Sequence, residues 1–458
     1  MKLTLNSKNI DATEGVIWKK MMALFLPTLI GTLFQQLYNT ADTVIVGRFV
    51  GKEALAAIGN TGVISQLVVG FFTGLSAGAT ILVSQCFGMK NAQRLKDSTY
   101  SAVCFSLIGG AVISLGGFFC TDPLLSWISV KPEYYEAART YLRIYLGGSI
   151  FLIVYNMGTG ILRAVGDTAR PLYYLIATTF VNIALDLLFV GAFRWGVAGA
   201  AYATVLSELI SAALVLGTLH RERSREYGVD LGHLYQRRSV IGRIFTIGLP
   251  SAFNGSMYSI SNMIIMRVMN SFNNTSIVAA HTAADKANDL FWLFSSALNT
   301  AVLTFSGQNY GAGKRDRLRK GMRQSLAIGV GITVCISAIL YLFAPQIIRL
   351  FTQDPEVIEQ GVWLMRYIDP FDVLYIAIPV INGIIRGSGD SFLPMLLSLG
   401  GICGIRLLWV ALYMPLHNDM QSLMICYPLS WGISSVLYIL YYYFGNWFGR
   451  SAKKHAKA

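Results

Sequence analysis

Residues 84–95 read SQCFGMKNAQRL, and 223 residues later, at 307–318, the chain reads GQNYGAGKRDRL. Gln85 falls on Gln308, Gly88 on Gly311, and Arg94-Leu95 on Arg317-Leu318. Working outward at the same offset, Pro27 falls on Pro250, Asn39 on Asn262, Pro132-Glu133 on Pro355-Glu356 and Arg143 on Arg366. Arg163-x-x-Gly166-Asp167 then falls on Arg386-x-x-Gly389-Asp390, and Pro171 on Pro394. One register held without a gap over about 145 residues is an internal repeat.

Between these landmarks the chain is apolar. Of its 458 residues 54% are hydrophobic and only 13% charged, against about 25% charged in a typical soluble protein. Apolar runs long enough to cross a bilayer occupy 18–46, 54–85, 99–119, 139–162, 172–193 and 196–219, then 242–266, 277–308, 323–347, 362–385, 392–416 and 422–446. Each approaches or exceeds the ~20 residues of a transmembrane helix, and none shows the ~10-residue alternation of a barrel strand. The fold expected is an all-α polytopic membrane protein of twelve transmembrane helices. It divides into an N-terminal six-helix lobe at 1–219, a linker at 220–241, a C-terminal six-helix lobe at 242–446 and a basic tail at 447–458. Six spans per half bring the second half into the membrane in the same direction as the first. The repeats are therefore parallel, and two bundles related by an axis along the membrane normal can rock about a central cavity.

The net charge of +13 would suggest a nucleic-acid partner in a soluble protein, but its distribution indicates topology instead. With the N-terminus inside, 26 of the 37 Lys and Arg lie in or beside cytoplasmic segments and six on the outer side. This places both termini in the cytoplasm of a multi-pass cell-membrane protein, with the lipid bilayer as partner and no nucleic acid. The six cysteines stand singly in apolar contexts and read as buried packing thiols. The first twenty residues lack an apolar h-region followed by a small-residue cleavage site, so no cleaved signal is expected. No G-x-x-x-x-G-K-[ST] occurs, which leaves an ion gradient or a downhill solute as the energy source.

Seven of the 24 carboxylates fall at candidate membrane depth: Asp42, Asp186, Glu208, Asp285, Asp289, Asp369 and Asp372. A charge there costs roughly 2.5–3.5 kcal/mol on insertion scales, so it usually faces a cavity or a partner. Asp186 follows Asn182 by one turn on the same face, and the pair can share a proton, a Na+ ion or a substrate ammonium, or simply bond another helix. Thr204 and Glu208 repeat the spacing on the next span, with Thr204 either a hydroxyl ligand or bonded to its own backbone. Asp42 ends a polar stretch that includes Gln35, Gln36 and Asn39, and Val44-Ile45-Val46 continues apolar beyond it, which favours a cavity over an interface. Pro27 removes one helix hydrogen bond and can bend the first span, as Pro250 can its repeat mate. In the second half Lys286 can pair with Asp285 or Asp289, either as neutralisation or as substrate contact, and Asp369 and Asp372 flank Pro370 as cavity groups or as caps of a broken helix. Arg-x-x-Gly-Asp-[Thr/Ser] reads as a helix-to-helix turn rather than a phosphate site.

Taken together, LFLPTLIGTLFQQLYNTADTVIVGRFVG at 24–51, the SQCFG and GQNYGAGKRDR loops, YNMGTGILRAVGDT at 155–168, NIALDLLFVGAFRWGVAGAAYATVLSE at 182–208 and NGIIRGSGDS at 382–391 resemble the multidrug and toxic compound extrusion (MATE) transporters, in particular the DinF-like prokaryotic branch. The resemblance implies a V-shaped pair of six-helix lobes that exports amphipathic, often cationic drugs or toxic metabolites in exchange for H+ or Na+. It places the cation site in the N-terminal lobe, at Asp42, Asn182, Asp186 and Thr204, and maps a fourth-helix Asn to Asn156 and the bending proline to Pro27. The carboxylate that NorM-type members carry on the seventh helix is missing from GLPSAFNGSMYSISNM at 248–263. Asp289 after Lys286 resembles a basic and acidic pair common at that place, and Glu208 stands where Gln is more usual.

The reading is a secondary antiporter, not an enzyme, with Asp42 and Asp186 as coupling carboxylates. Gln35, Gln36, Asn39, Asn156, Glu208, Lys286 and Asp289 are candidates for the substrate cavity. No cofactor is expected beyond H+ or Na+ as coupling ion, the partner is a small-molecule substrate, and one chain holding both lobes is expected to work as a monomer. A flippase for a lipid-linked precursor, the alternative, calls for several cations lining the cavity, which the N-terminal spans do not offer. An intramembrane enzyme would need a His, Ser or metal constellation, and His281 stands alone.

Overall fold

The computed structural model describes residues 9–127, 130, 132–272, 274–417 and 419–449, and every regular element among them is helical. In hydrocarbon a backbone N–H or C=O has no water to bond, and a helix satisfies these groups within itself. The first half consists of α1 (Ile17–Phe49), α2 (Lys52–Gly88), α3 (Ala92–Phe119), the short α4 (Thr121–Trp127), α5 (Tyr135–Ala164), α6 (Ala169–Asp186) and α7 (Gly196–Arg221). The second consists of α8 (Arg238–Ser271), α9 (Thr275–Gly311), α10 (Arg315–Arg349), α11 (Pro355–Ile368), α12 (Asp372–Tyr375), α13 (Ala377–Gly387), α14 (Phe392–Ser398), α15 (Ile405–Leu412), α16 (Met420–Met424) and α17 (Cys426–Phe444). Eleven stretches among the described residues are long and apolar enough to span a bilayer. The twelfth expected span, α8, is helical over 34 residues, but Arg238, Arg243 and Arg267 and a series of Asn and Ser dilute its apolar character.

The repeat is visible in the elements themselves. Helices α2 and α9 are both 37 residues long and begin and end 223 residues apart. The turns that close α5 and α13 place Gly166 at φ +83° and its mate Gly389 at φ +100°. These left-handed positions explain why glycine stands in both copies of the Arg-x-x-Gly-Asp string. Behind Gly166, the Asp167 carboxylate accepts the Arg170 N–H at 3.2 Å and pairs with the Arg170 guanidinium at 2.8 Å. Behind Gly389, Asp390 accepts the Tyr441 hydroxyl at 2.8 Å. Both strings are structural turns.

The chain packs as two compact units. Unit 1 holds Leu26–Ala252 with the described residues up to Asp11, and unit 2 holds Ala12–Phe25 with the described residues from Phe253 onward. The division therefore passes through α1 and α8, two residues from Pro27 and from Pro250. In unit 1 the start of α8 lies on α2 at backbone contact distance, where a Cβ on Gly74 would meet the Ala252 nitrogen at 2.5 Å. In unit 2 the segment before α1 is held by side chains at the end of α9 and the start of α10. The Ala12 N–H donates to Gln308 Oε1 at 2.8 Å, and Arg317 Nε donates to the Ala12 carbonyl at 3.1 Å.

The linker 220–241 packs along unit 1: Val229 and Tyr227 are buried there, Tyr235 stacks on Tyr100 at 4.6 Å, and Asp97 accepts Tyr235 at 2.8 Å and Arg237 at 2.9 Å. Its apolar residues fill a gap at the ends of α3 and α7 that its many arginines conceal from a composition reading. Of the six cysteines, Cys120 and Cys335 are exposed rather than buried. This corrects the expectation of buried thiols at two positions: Cys120 caps the end of α3 and Cys335 lies on α10, where apolar surroundings in sequence do not separate an exposed position from a packed one. Of the tail, 450–458 lies outside the described residues, while Trp447 is buried and stacks on Tyr442 at 5.5 Å.

Within unit 1, α5 is the central helix, packed on α2, α3 and α7. A Cβ on Gly148 or Gly158 would collide with Val205 or Val215 of α7, so these glycines set the close approach of α5 and α7. Gly158→Leu is expected to destabilise the detergent-solubilised protein by about 1–3 kcal/mol through overpacking, with Val215→Ala restoring part of it. Thermal unfolding of the single and double variants measures this; an unchanged midpoint in Gly158→Leu removes the packing argument. On α4, Asp122 accepts Arg139 Nε at 2.6 Å and Arg143 Nη2 at 2.9 Å. The Arg139 hydrogen bond, and then the charges of both arginines, hold its carboxyl below the usual carboxylate range. Stability from this group is present above the unfolded-state pKa and lost as pH falls through the folded one. The gap in unfolding midpoint between wild type and Asp122→Asn is therefore expected to be open at neutral pH and to close on acidification.

Candidate functional site

Unit 1 gathers polar groups from three helices. Helix α6 presents Asn182 and Asp186 one turn apart, both with 0% of their surface exposed, and α7 presents Thr204 and Glu208 at the same spacing. Helix α1 adds Asp42 and, one turn earlier, Tyr38. These residues face one another: Asp186 lies within electrostatic reach of Asp42, and the Tyr38 phenol within reach of Glu208, Thr204 and Asp42. Tyr141 on α5 is in range of Asp42, Glu208 and Asp186.

Much of their hydrogen-bonding capacity is unused. Both oxygens of Asp186, both polar atoms of the Asn182 amide, Oδ1 of Asp42 and Oε2 of Glu208 are buried without a hydrogen-bond partner among the described residues, and the hydroxyls of Thr204 and Tyr38 have at most each other. Neighbouring hydroxyls behave otherwise. Ser207 and Ser211 on α7 donate to the carbonyls one turn back at 2.8 and 2.9 Å, as Thr178 and Thr179 on α6 do at 2.9 and 2.8 Å. The Thr204 hydroxyl does not make that bond, which leaves it available to a ligand. A set of carboxylate, amide, hydroxyl and phenol oxygens is a hard-donor environment that suits a proton, Na+ or an ammonium rather than a soft metal. No cluster of three or more His, Cys, Asp and Glu of metal-holding geometry occurs among the described residues.

Immediately after Asp186 the helix widens to a π-segment at Leu187–Ala192. Such bulges shift the register of the following residues, and here Phe189 turns to stack on Trp195 at 5.0 Å. Val190 of the bulge packs with Ile45, Val46 and Tyr141, an apolar layer against the polar cluster.

The other expected residues lie apart. Gln35 and Asn39 are exposed on α1, and Gln36 is half-buried. Asn156 turns onto its own helix and donates to the Leu152 carbonyl at 3.0 Å, so no bond joins it to the carboxylates. Lys286 and Asp289 belong to unit 2, where they pair with each other at 3.2 Å on exposed stretches of α9, while Asp285 pairs with His281 at 3.4 Å. Pro27 and Pro250 are interior to continuous helices. Asp369 and Asp372 bracket a 3-10 turn between α11 and α12 and are both buried. The amide nitrogen of Asn288 donates to one oxygen of each at 3.0 Å, leaving the other oxygen of each unbonded. The helix breaks as expected, but its acids point inward and do not cap it.

Sequence reasoning missed Tyr38, Tyr141 and Asn288. Tyrosine is common in membrane helices, and only its i, i+4 spacing from Asp42 marked Tyr38. Asn288 lies 81 residues from Asp369, and nothing local signals their meeting.

The MatE family model matches residues 27–188 and again residues 250–411, two blocks offset by the same 223 residues and each beginning at a proline. Among curated proteins, the probable multidrug resistance protein YoeA of Bacillus subtilis is 26% identical, covering 93% of this chain and 94% of its own. The probable multidrug resistance protein YpnP of the same organism is 27% identical, covering 96% and 98%. Among solved structures, the outward-facing conformation of a multidrug resistance MATE family transporter of the MOP superfamily superposes with a TM-score of 0.89 over 98% of both chains at 24% identity, a likeness of fold. With the family model covering most of its length in two copies, the chain belongs to the MATE family of multi-pass membrane transporters.

Proposed function

We propose that the protein is a secondary antiporter that exports amphipathic, mainly cationic drugs or toxic metabolites in exchange for H+ or Na+, with Asp42 and Asp186 as the coupling carboxylates. The observation that carries this reading is the cluster of unpartnered oxygens from α1, α6 and α7 inside unit 1. Two relatives of nearly the same length are named as multidrug resistance proteins, which supports the substrate class.

The coupling follows from charge. With Asp42 and Asp186 ionised, the cluster is a buried negative site that a cationic substrate can neutralise. When H+ or Na+ occupies the same oxygens that attraction is lost, so ion and substrate bind in competition. Asn182 and Thr204 complete the oxygen set for the ion, and Glu208 and Tyr38 extend it. Pro27 lies two residues from the point where α1 passes from one unit to the other, so a bend there moves Asp42 relative to the start of the helix. Pro250 holds the matching position in α8. The bias of Lys and Arg towards one set of loops supports cytoplasmic termini.

Vesicles containing the protein, loaded with ethidium and given separately imposed H+ and Na+ gradients, test the proposal. One gradient is expected to drive ethidium flux in the wild type, and Asp186→Asn and Asp42→Asn to lower that flux by about tenfold or more, the scale of an interaction of 1.4 kcal/mol. Flux independent of both gradients, or variants as active as the wild type, contradicts it. Because the Asp186 oxygens are buried without partners, Asp186→Asn is also expected to retain or gain thermal stability in detergent, by up to about 3 kcal/mol, while transport is lost. A strongly lowered unfolding midpoint would instead make Asp186 a structural residue.

A further inference from the structure

The repeat mates of the acidic cluster have a different chemistry. At the 223-residue offset Asp42 is replaced by Ile265, while Asn39 keeps its identity as Asn262. Asn262 Oδ1 accepts Nη1 of Arg406 at 2.9 Å, and the Ser430 hydroxyl accepts Nε at 3.1 Å. Arg406 is 0% exposed, and its guanidinium also lies within side-chain hydrogen-bond reach of the Tyr258 hydroxyl. No carboxylate lies within ion-pair distance of it among the described residues. Asp285, whose charge reaches it from α9, is drawn to His281 at 3.4 Å. The guanidinium is held between the rings of Tyr427 at 4.3 Å and Tyr258 at 5.4 Å. The hydrogen-bond partners of this buried cation are all neutral and Asp285 acts on it only from beyond ion-pair distance, so its positive charge is offset only in part.

That charge lies behind one wall of a cavity of about 300 Å³ within unit 2. Tyr258 forms this wall, Trp292 and Tyr375 form others, and Asn254, Asn382 and Cys403 contribute to the lining. Trp292 meets Tyr375 edge-on at 4.9 Å and Tyr258 at 6.2 Å. Asn382 is 7% exposed and its Oδ1 has no partner, whereas the Asn299 amide is spent on the Pro379 carbonyl at 2.6 Å. No acid lines the cavity among the described residues.

We propose that this cavity is a binding site for an aromatic anion. Aromatic edges and faces on several sides select a flat ring system, and the volume, at the lower end of ligand pockets, suits about two fused rings. The Arg406 charge over the Tyr258 ring polarises its hydroxyl into a stronger donor towards a sulfonate, carboxylate or phosphate. Asn382, whose Oδ1 is unpartnered, supplies a further polar contact to the anion once its amide is flipped to present the nitrogen. A cationic ligand would meet only Arg406 and no counter-charge. Two halves of one duplicated chain thus hold sites of opposite sign, the acidic one for cations and the basic one for anions.

Isothermal titration of the full-length protein carrying Asp42→Asn and Asp186→Asn, which removes the negative charge of the unit 1 cluster, tests this in nanodiscs with naphthalene-2-sulfonate and with N-methylquinolinium, two bicyclic probes of opposite charge. This parent is expected to bind the sulfonate at least about tenfold more tightly than the quinolinium, and Arg406→Gln added to it to lose that preference. Asn382→Leu and Trp292→Ala in the same parent are expected to weaken sulfonate binding several-fold, and they carry the test if Arg406→Gln fails to fold. The proposal is overturned if the quinolinium binds the parent as tightly as the sulfonate, if folded Arg406→Gln keeps the parent's preference, or if Asn382→Leu and Trp292→Ala both bind like the parent.

Discussion

Backbone polar groups in hydrocarbon have nowhere to bond but their own helix, and the rest of this structure depends on that constraint. It makes every regular element among the described residues a helix, and it leaves side-chain polar atoms to find partners among themselves or to go without. Most solve the problem locally. Ser207, Ser211, Thr178 and Thr179 fold back onto carbonyls of the preceding turn. Against that background the unbonded oxygens of Asp186 and Asn182 are informative, because the serine and threonine hydroxyls around them on α6 and most of those on α7 are bonded to the backbone.

Close packing supports the cluster from behind. Gly148 and Gly158 let α5 approach α7 at distances that no side chain would permit, and the same approach brings Tyr141 against the carboxylates of α1, α6 and α7. The π-segment after Asp186 then turns Phe189 and Val190 into apolar packing. A polar site is stable here because small residues and one helix distortion surround it with well-filled apolar contacts.

The duplicated halves have kept their skeleton and diverged in charge. Helices α2 and α9 keep the same length and offset, and Gly166 and Gly389 keep the same left-handed turn. The inward-facing groups did not keep pace: unit 1 holds Asp42, Asp186 and Glu208, while unit 2 holds Arg406, the Tyr258, Trp292 and Tyr375 rings, and the Asn288-bridged pair Asp369 and Asp372. Skeleton positions are constrained by backbone geometry in both copies, whereas a cavity residue is constrained only by what enters that cavity.

Apolar run length, the constant offset and the Gly-Asp turns were legible in the sequence, because each is a local property of the chain. So were the acids on α1, α6 and α7, since a carboxylate inside an apolar run stands out by its cost. The i, i+4 pairs Asn182 with Asp186 and Thr204 with Glu208 were equally readable, because helix geometry alone puts them on one face. Only the tertiary structure decided which of those acids meet. It separated Lys286 and Asp289, a surface pair in unit 2, from the unit 1 cluster, turned Asn156 onto its own backbone, and brought Asn288 to Asp369. It also showed that 220–241 is packed and that Arg406 is buried with no carboxylate at ion-pair distance among the described residues. Sequence fixes which face of a helix a residue occupies; what that face touches depends on how the helices rotate and approach one another, and that is settled by side chains far apart along the chain.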